Sequence, residues 1–331
     1  MREVTIYDIA KLAGVSASTV SRVINGKSTV KKSTRDRVLK ILAENHYVPN
    51  ETARGLVTQS THMIGILITD VRTTQHTDGI YYIQRELAEN GYSCLIYNTG
   101  RNENDWIRYI QTLVQRKVDA AILMGSIYQT EKVKNAIETY LPSTPVVLCN
   151  GYMDAQNIYC VMADEQNGVA QYVSLLAGKG RKKIAFLLNQ ATPSNLLKQE
   201  GYLTGINRFC PGTAPIVRET GNTVREIYDA AVQLLDEIPD LDGIIFSEDR
   251  LALIGLRALA DRGREVPKDI SVIGINNSEY AEISIPTLTS LDNVLYDLSM
   301  NAVRNVLTLL EGKRVSKKMI IGTEIVERQS T

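Results

Sequence analysis

Cysteine and histidine are scarce in this chain: four of the first and three of the second among 331 residues. Cys94, Cys149, Cys160 and Cys210 stand far apart and form no Cys-x-x-Cys pair, which argues against a zinc site and against a disulfide framework. Scattered thiols of this kind read as small apolar residues of a core. Long apolar runs are missing as well. None approaches the roughly 20 residues that a membrane-spanning helix needs, and the N-terminus carries no apolar signal-peptide stretch, so the expected location is the cytoplasm. Catalytic motifs are equally absent. No Gly-x-Gly-x-x-Gly follows a strand-like run, and neither a Gly-x-Ser-x-Gly elbow nor a His-Glu-x-x-His occurs. Gly26-Lys27-Ser28 has the form of the tail of a phosphate-binding loop, but Ser21 stands where that motif needs glycine. Glu248-Asp249 is an adjacent acidic pair; chain neighbours point apart, so helix capping by one of them is expected rather than acid–base work. The chain is therefore not expected to be an enzyme, and no catalytic residue, metal or cofactor is assigned.

What is present begins at residue 5. The stretch TIYDIAKLAGVSASTVSRVING (5–26) reads as two short helices around a turn at Gly14. Thr5 followed by Asp8 is a helix-start signature, and Ser16 is placed to cap the second helix. Ile9, Ala10, Val15, Val20 and Val23 form an apolar set that closes the pair. Ala17, Ser18, Ser21 and Arg22 face away from it, and such small or hydrogen-bonding side chains suit base edges and phosphates. A third helix follows, with Ser33 as cap, Asp36 at the box position, and Val38, Leu39, Ile41 and Leu42 as its apolar face. Pro49 marks a boundary. Asn50 can cap one or two helical turns over 50–56, and 57–62 is a polar linker. Charge divides at the same place. Residues 1–60 hold ten Lys/Arg and five Asp/Glu; since the whole chain sums to zero, the remainder is as acidic as this head is basic. A basic head on an acidic body suits a polyanionic partner for the head alone.

From Met63 the pattern changes. MIGILIT (63–69) is a continuous apolar run of the kind buried on both faces of a sheet. Similar runs recur as SCLIYN (93–98), DAAILMG (119–125), PVVLCN (145–150), KIAFLL (183–188), DGIIFS (242–247) and ISVIGI (270–275), with helical stretches such as 103–117, 165–178, 222–237 and 249–263 between most of them. The alternation predicts an α/β fold with two parallel sheets, one before and one after about residue 162. Ligands of open parallel sheets sit beyond the C-terminal strand ends, which in a two-lobed arrangement can face one another across a cleft.

These residues resemble the lactose/galactose repressor (LacI/GalR) family over nearly the whole chain. TIYDIAKLAGVSASTVSRVING is similar to the family's DNA-binding start and VPNETARGL (48–56) to its hinge segment. DGIIFSEDRLALIGLRAL (242–259), VPKDISVIGINN (266–277) and PTLTSLDN (286–293) are similar to its C-terminal half. The resemblance implies a helix-turn-helix head over 1–49, a hinge helix and linker over 50–62, and a two-lobed body of periplasmic-binding-protein type over 63–331. In that body the N-lobe takes about 63–161 and 292–320, and the C-lobe about 162–291 and 321–331. It further implies an allosteric regulator, expected to be a repressor of a carbohydrate-use operon, that binds a near-palindromic operator on the nucleoid as a homodimer. Ala17, Ser18 and Arg22 become base-reading positions; Arg22 has the clearest chemistry, a guanidinium able to pair with guanine O6 and N7. Thr5, Tyr7, Ser16, Thr19, Ser21 and Asn25 become phosphate contacts. In the hinge, Asn50, Ala53, Arg54 and Leu56 enter the minor groove, with Leu56 wedged into a base step and Ala53 against it.

The same resemblance places a small-molecule effector, expected to be a sugar, between the lobes on Gln75, His76, Asn150, Lys198, Asn222, Glu248 and Asn276. Several depart from the common pattern. Family members often carry Asn-Pro and two aromatics where Thr73-Thr74-Gln75-His76 stands, arginine at Lys198 and aspartate at Asn276. Lysine keeps the charge but loses the planar fork, and asparagine offers a donor as well as an acceptor. Some relatives answer instead to a phosphorylated carrier protein, and Arg304, in a helix from about 294 to 311, falls where such a relative uses arginine. The chain ends soon after TEIVERQST with no added heptad segment, so a dimer is expected rather than a tetramer. A sugar-binding module with a non-reading head and an enzyme on the same body are the two rival classes. On this reading Leu56→Ala weakens operator binding about ten- to a hundredfold, or about 1–3 kcal/mol, without unfolding the body. A fluorescence titration with labelled operator checks it, and unchanged affinity removes the wedge.

Overall fold

The computed structural model describes residues 4–24, 26, 29–47 and 60–331, which divide by contacts into one unit up to Thr61 and another from His62. The hinge positions Asn50, Ala53, Arg54 and Leu56, and Asn25 of the head, lie outside the described residues.

The head is built from α1 (Ile6–Ala13), α2 (Ala17–Ile24) and α3 (Lys32–Glu44). Thr5 and Asp8 form the expected capping box, each side chain accepting from the other's backbone N–H at 3.3 and 2.9 Å. Gly14 ends α1 in the left-handed region at φ 63°, where its N–H reaches the carbonyls of Ala10 and Lys11. Ser16 Oγ takes the Thr19 N–H at 3.2 Å and so caps α2. Ile9, Ala10, Ala13, Val20, Val23 and Val38 are buried together, with Val15, Ile41 and Leu42 packed against them. Two expectations for α3 fail. Its N-cap position is Lys31, with Ser33 already inside the helix, and Leu39 is 47% exposed. Val38, Ile41 and Leu42 lie three and four residues apart on one face, and Leu39 is turned about 100° from Val38.

The first sheet of the body comes from β1 (Met63–Ile68), β2 (Ser93–Asn98), β3 (Ala120–Met124), β4 (Val146–Cys149) and β5 (Ile158–Ala163). Helices α4 (Thr74–Glu89), α5 (Glu103–Gln115) and α6 (Glu131–Tyr140) cover it. The second comes from β6 (Ile184–Leu188), β7 (Ile216–Glu219), β8 (Gly243–Phe246), β9 (Ser271–Ile275) and β10 (Thr289–Asp292). It is accompanied by α7 (Glu165–Gly178), α8 (Pro193–Phe209), α9 (Val224–Glu237), α10 (Asp249–Asp261) and α11 (Glu279–Ile283). The chain then returns as α12 (Leu295–Leu310) and β11 (Lys318–Ile321) to the first sheet and as β12 (Glu324–Val326) to the second. The strand orders are β11-β5-β4-β3-β1-β2, all parallel, and β12-β10-β9-β8-β6-β7, parallel except for β12 against β10. The chain thus passes between the sheets three times, after β5, after β10 and after β11.

Strand alternation explains the two-faced burial. Ile64, Ile66 and Ile68 of β1 enter the core under α4 and α12, while Leu67 points into the opposite core with Trp106, Ile110 and Leu113 of α5. SCLIYN departs from its expected double burial: β2 is an edge strand, and Ile96 is 40% exposed. At the start of β1 the His62 N–H is held by Asp119 Oδ2 at 2.9 Å, and its carbonyl accepts from Ser93 N at 2.8 Å. No helix among the described residues is long and apolar enough to cross a membrane.

Helices α7 and α8 touch backbone to backbone, and glycine permits it. A Cβ on Gly201 would stand 2.1 Å from the Gln166 carbonyl oxygen, and one on Gly205 would stand 2.6 Å from Val173 Cβ. The contact brings Glu165, at the start of α7, beside Lys198 of α8. Gly201→Ala therefore costs about 2–3 kcal/mol of stability. Gly178→Ala, with open space around it, is neutral or stabilising by up to about 1 kcal/mol. Urea unfolding of the two variants side by side checks this, and equal effects contradict the close-packing account.

Candidate functional site

Two surfaces carry the residues singled out by the sequence. On the head, Ser16, Ser18 and Thr19 come together at the start of α2: Ser16 Oγ lies 2.8 Å from Ser18 Oγ and 2.9 Å from Thr19 Oγ1. One position expected to read bases and two expected to contact phosphates thus share a hydroxyl cluster at a helix N-terminus, where backbone N–H groups and the helix dipole favour an anion. Arg22 is exposed on the same helix, and Tyr7 is 74% exposed on α1. Ala17 is half-buried against the head core, so its methyl serves packing as well as any contact with a base. Ser21 is half-buried, and the Thr5 hydroxyl donates to Asp8 within the capping box.

In the body, the loops leaving the carboxyl ends of both sheets line one cleft of about 690 Å³. All seven positions expected to meet an effector lie on it: Gln75, His76, Asn150, Lys198, Asn222, Glu248 and Asn276. His76 Nδ1 is 2.7 Å from both the Asp70 carbonyl oxygen and Thr73 Oγ1. A carbonyl can only accept, so Nδ1 carries the proton and Nε2, on the Gly125 side, keeps a lone pair. Burial lowers the His76 pKa from its ordinary value, more than the Asp70 carbonyl and carboxylate raise it, and the ring stays neutral. Asn150 sits at φ 58° and uses Oδ1 to accept from Ala163 N at 3.2 Å, which leaves its amide N–H groups for the cleft. Asn276, at φ 113°, accepts on its carbonyl from Gln75 Nε2 at 3.5 Å and on Oδ1 from Asn293 Nδ2 at 3.1 Å.

Charge is arranged in pairs. Lys198 Nζ is 3.3 Å from Glu165 Oε1 with both side chains almost fully buried, and it donates to the Ser247 carbonyl at 3.1 Å. Glu165 also accepts from the Ser194 hydroxyl. Arg72 forks onto Asp70 at the mouth and holds that carboxyl at about 2. The Glu248–Asp249 pair does something other than cap by side chain. Glu248 is the N-cap residue of α10, but its carboxylate takes the Asn189 amide at 3.3 Å. Asp249 is buried beneath the floor, where it accepts the Ser278 N–H at 2.7 Å and the hydroxyls of Ser278 and Ser290. Burial, partly offset by these donors, pushes its carboxyl up to about 6. Asp249 thereby fixes the loop that carries Asn276.

Cross-lobe contacts close the cleft. Ser194 N donates to Ser126 Oγ at 3.0 Å, and Arg101, beyond β2, donates to Gln190 Oε1 and Asn222 Oδ1, both at 2.9 Å. Sequence reasoning misses Arg101, Glu165 and Asn293 and reads Asp249 only as half of a helix-capping pair, because their partners lie far away along the chain. Arg304 is exposed on α12 and donates to Asn301 on its own helix at 3.3 Å. No group of three or more His, Cys, Asp or Glu positioned for a metal ion occurs among the described residues.

Comparison with known proteins fits both surfaces. The profile of bacterial regulatory proteins of the lacI family matches residues 5–50, and that of the periplasmic binding protein-like domain matches residues 173–331. An HTH-type transcriptional regulator of Lachnoclostridium phytofermentans is 32% identical over 98% of this chain and 99% of its own length. Catabolite control protein A of Priestia megaterium is 30% identical over 99% of each chain. The crystal structure of the lac repressor dimer bound to operator and the anti-inducer ONPF superposes with a TM-score of 0.91 at 25% identity, covering 99% of both chains. The chain belongs to the lacI family of bacterial regulatory proteins and is a DNA-binding transcriptional regulator, not an enzyme.

Proposed function

We propose that this regulator is a homodimeric repressor of a carbohydrate-use operon, acting on chromosomal operator DNA in the cytoplasm and controlled by a sugar or sugar derivative in the interlobe cleft. One observation carries the effector reading: seven positions scattered from Gln75 to Asn276 in the sequence converge on a single cleft between two sheet ends. The donor and acceptor set suits hydroxyls. Neutral His76 accepts at Nε2, Glu248 accepts, Asn150 donates, and Lys198 adds a charge-assisted donor held in place by Glu165. On the head, Ala17, Ser18 and Arg22 read bases, while Thr5, Tyr7, Ser16, Thr19, Ser21 and Asn25 hold phosphates. Asn50, Ala53, Arg54 and Leu56 form the minor-groove hinge.

Control follows from what spans the cleft. The cross-lobe bonds of Arg101, Gln75 and Ser194 are few and polar, so a ligand that exchanges them for its own contacts shifts the lobes at small cost. Reorienting the N-lobe changes the position from which the hinge is presented, and with it the affinity for operator.

Selection of bound fragments from the source genome, with and without a panel of sugars, tests the proposal. The expected result is enrichment of fragments beside sugar-metabolism genes, with at least one sugar changing occupancy tenfold or more. Enrichment of no fragment over random competitor ends it. A second expectation concerns protons. The acceptor lone pair of a neutral imidazole is lost on protonation, so effector affinity stays level through the ordinary imidazole pKa and declines only at lower pH, where the buried ring takes up its proton, with His76→Gln removing the decline. Isothermal titration across that range reads the profile, and an identical slope in the variant excludes His76 as the acceptor.

A further inference from the structure

Four Lys or Arg side chains line the cleft, and they fall into two kinds. Arg72 and Lys198 are neutralised by Asp70 and Glu165. Arg101 and Arg250 form no ion pair among the described residues; both touch only neutral acceptors, and both touch the same residue. Arg101 NH1 donates to Asn222 Oδ1 at 2.9 Å and to Gln190 Oε1 at 2.9 Å, while Arg250 NH1 reaches the Asn222 main-chain oxygen at 3.4 Å. The two guanidinium groups come from opposite lobes, Arg101 from the loop beyond β2 and Arg250 from the first turn of α10.

The nearby carboxylates are already engaged. Glu226 lies behind Asn222, where it takes the N–H groups of Asn222 and Thr223 and the Thr223 hydroxyl. Asp249 is held under the floor by Ser278 and Ser290, and Glu248 takes the Asn189 amide. Apolar stacking has little to offer a ligand here, because Tyr280 is the single Phe, Tyr or Trp of the lining among the described residues. Asp70, whose carboxyl pKa Arg101 helps to lower, is forked by Arg72, so two guanidiniums that meet at Asn222 without an ion pair of their own suit a ligand that brings an anion to them.

We propose that Arg101 and Arg250 form an anion subsite and that the effector carries a phosphate or a carboxylate which occupies it. The inference rests on the reading of the cleft as the effector site. The anion takes the acceptor role that Asn222 and Gln190 now fill, and the hydroxyl-bearing part extends inward toward His76, Asn150 and Glu248. One arginine from each lobe then grips the same group, so occupancy couples directly to the angle between the lobes.

Inorganic phosphate is the first probe, used on the full chain in thermal unfolding against sodium chloride at equal ionic strength. The expected result is a saturable rise in melting temperature, taken from each protein's own melting temperature without phosphate, that Arg101→Gln and Arg250→Gln each abolish, while Arg101→Lys retains part of the rise. Phosphate acting no better than chloride, or equally on wild type and both glutamine variants, overturns the subsite. Calorimetry then compares neutral sugars with their phosphate esters and with the matching uronates. An ester or uronate that binds at least tenfold tighter than its parent, with the advantage lost in the two glutamine variants, supports the proposal, and whichever of the two gains identifies the anion. A neutral parent that binds as tightly as its charged derivatives overturns the subsite and leaves the sugar reading standing. Phosphate binding at the arginines with no sugar of any kind bound sustains the subsite and removes the sugar reading.

Discussion

Two parallel sheets that direct their carboxyl ends into a shared gap constrain everything else in this body. A parallel strand returns to its own sheet only through a crossover, so each loop beyond a strand end is short, is anchored on both sides and points the same way. Three passes of chain between the sheets keep the two sets of loops opposed. The cleft is therefore a property of topology before it is a property of any side chain. The side chains then decide what it accepts, and they do so mostly with amides, hydroxyls and paired charges.

The buried pair of Lys198 and Glu165 shows how demanding that arrangement is. Leaving one member of such a pair alone costs about 3–5 kcal/mol, so the two must be placed together by the backbone. The glycine-mediated approach of α7 and α8 does this, since Glu165 opens the first helix and Lys198 lies one turn before Gly201 on the second. Packing between two helices and polarity in the cleft are in this way one feature. Asp249 works similarly: it orients the loop of Asn276 through the backbone and hydroxyl of Ser278.

Much of the fold is legible in the sequence wherever a run is apolar throughout and bounded by a helix. MIGILIT, KIAFLL and ISVIGI are strands as expected, with ends shifted by a residue at most. Strand β5 escapes that reading because residues 150–157 join it to β4 with no helix between them, so the alternation that flags the others is missing. Strands β7, β10, β11 and β12 are three or four residues long and mix polar with apolar side chains, too little for periodicity to register. Capping is legible at Thr5 and Ser16, where the cap directly precedes the helix, and misleading at Ser33 and Glu248. At the site, the lining positions follow from family likeness. The partners that give them their chemical state do not, because Arg101–Asn222 and Asp249–Ser290 join residues 121 and 41 positions apart.

His62 has a mechanical consequence. Its N–H is tied to the Asp119 carboxylate and its carbonyl to the amide of Ser93, so the last residue before β1 is clamped to its neighbours on both sides. A tilt of the first sheet therefore carries His62, the residue at which the chain enters the body, along with β2 and the turn before β3.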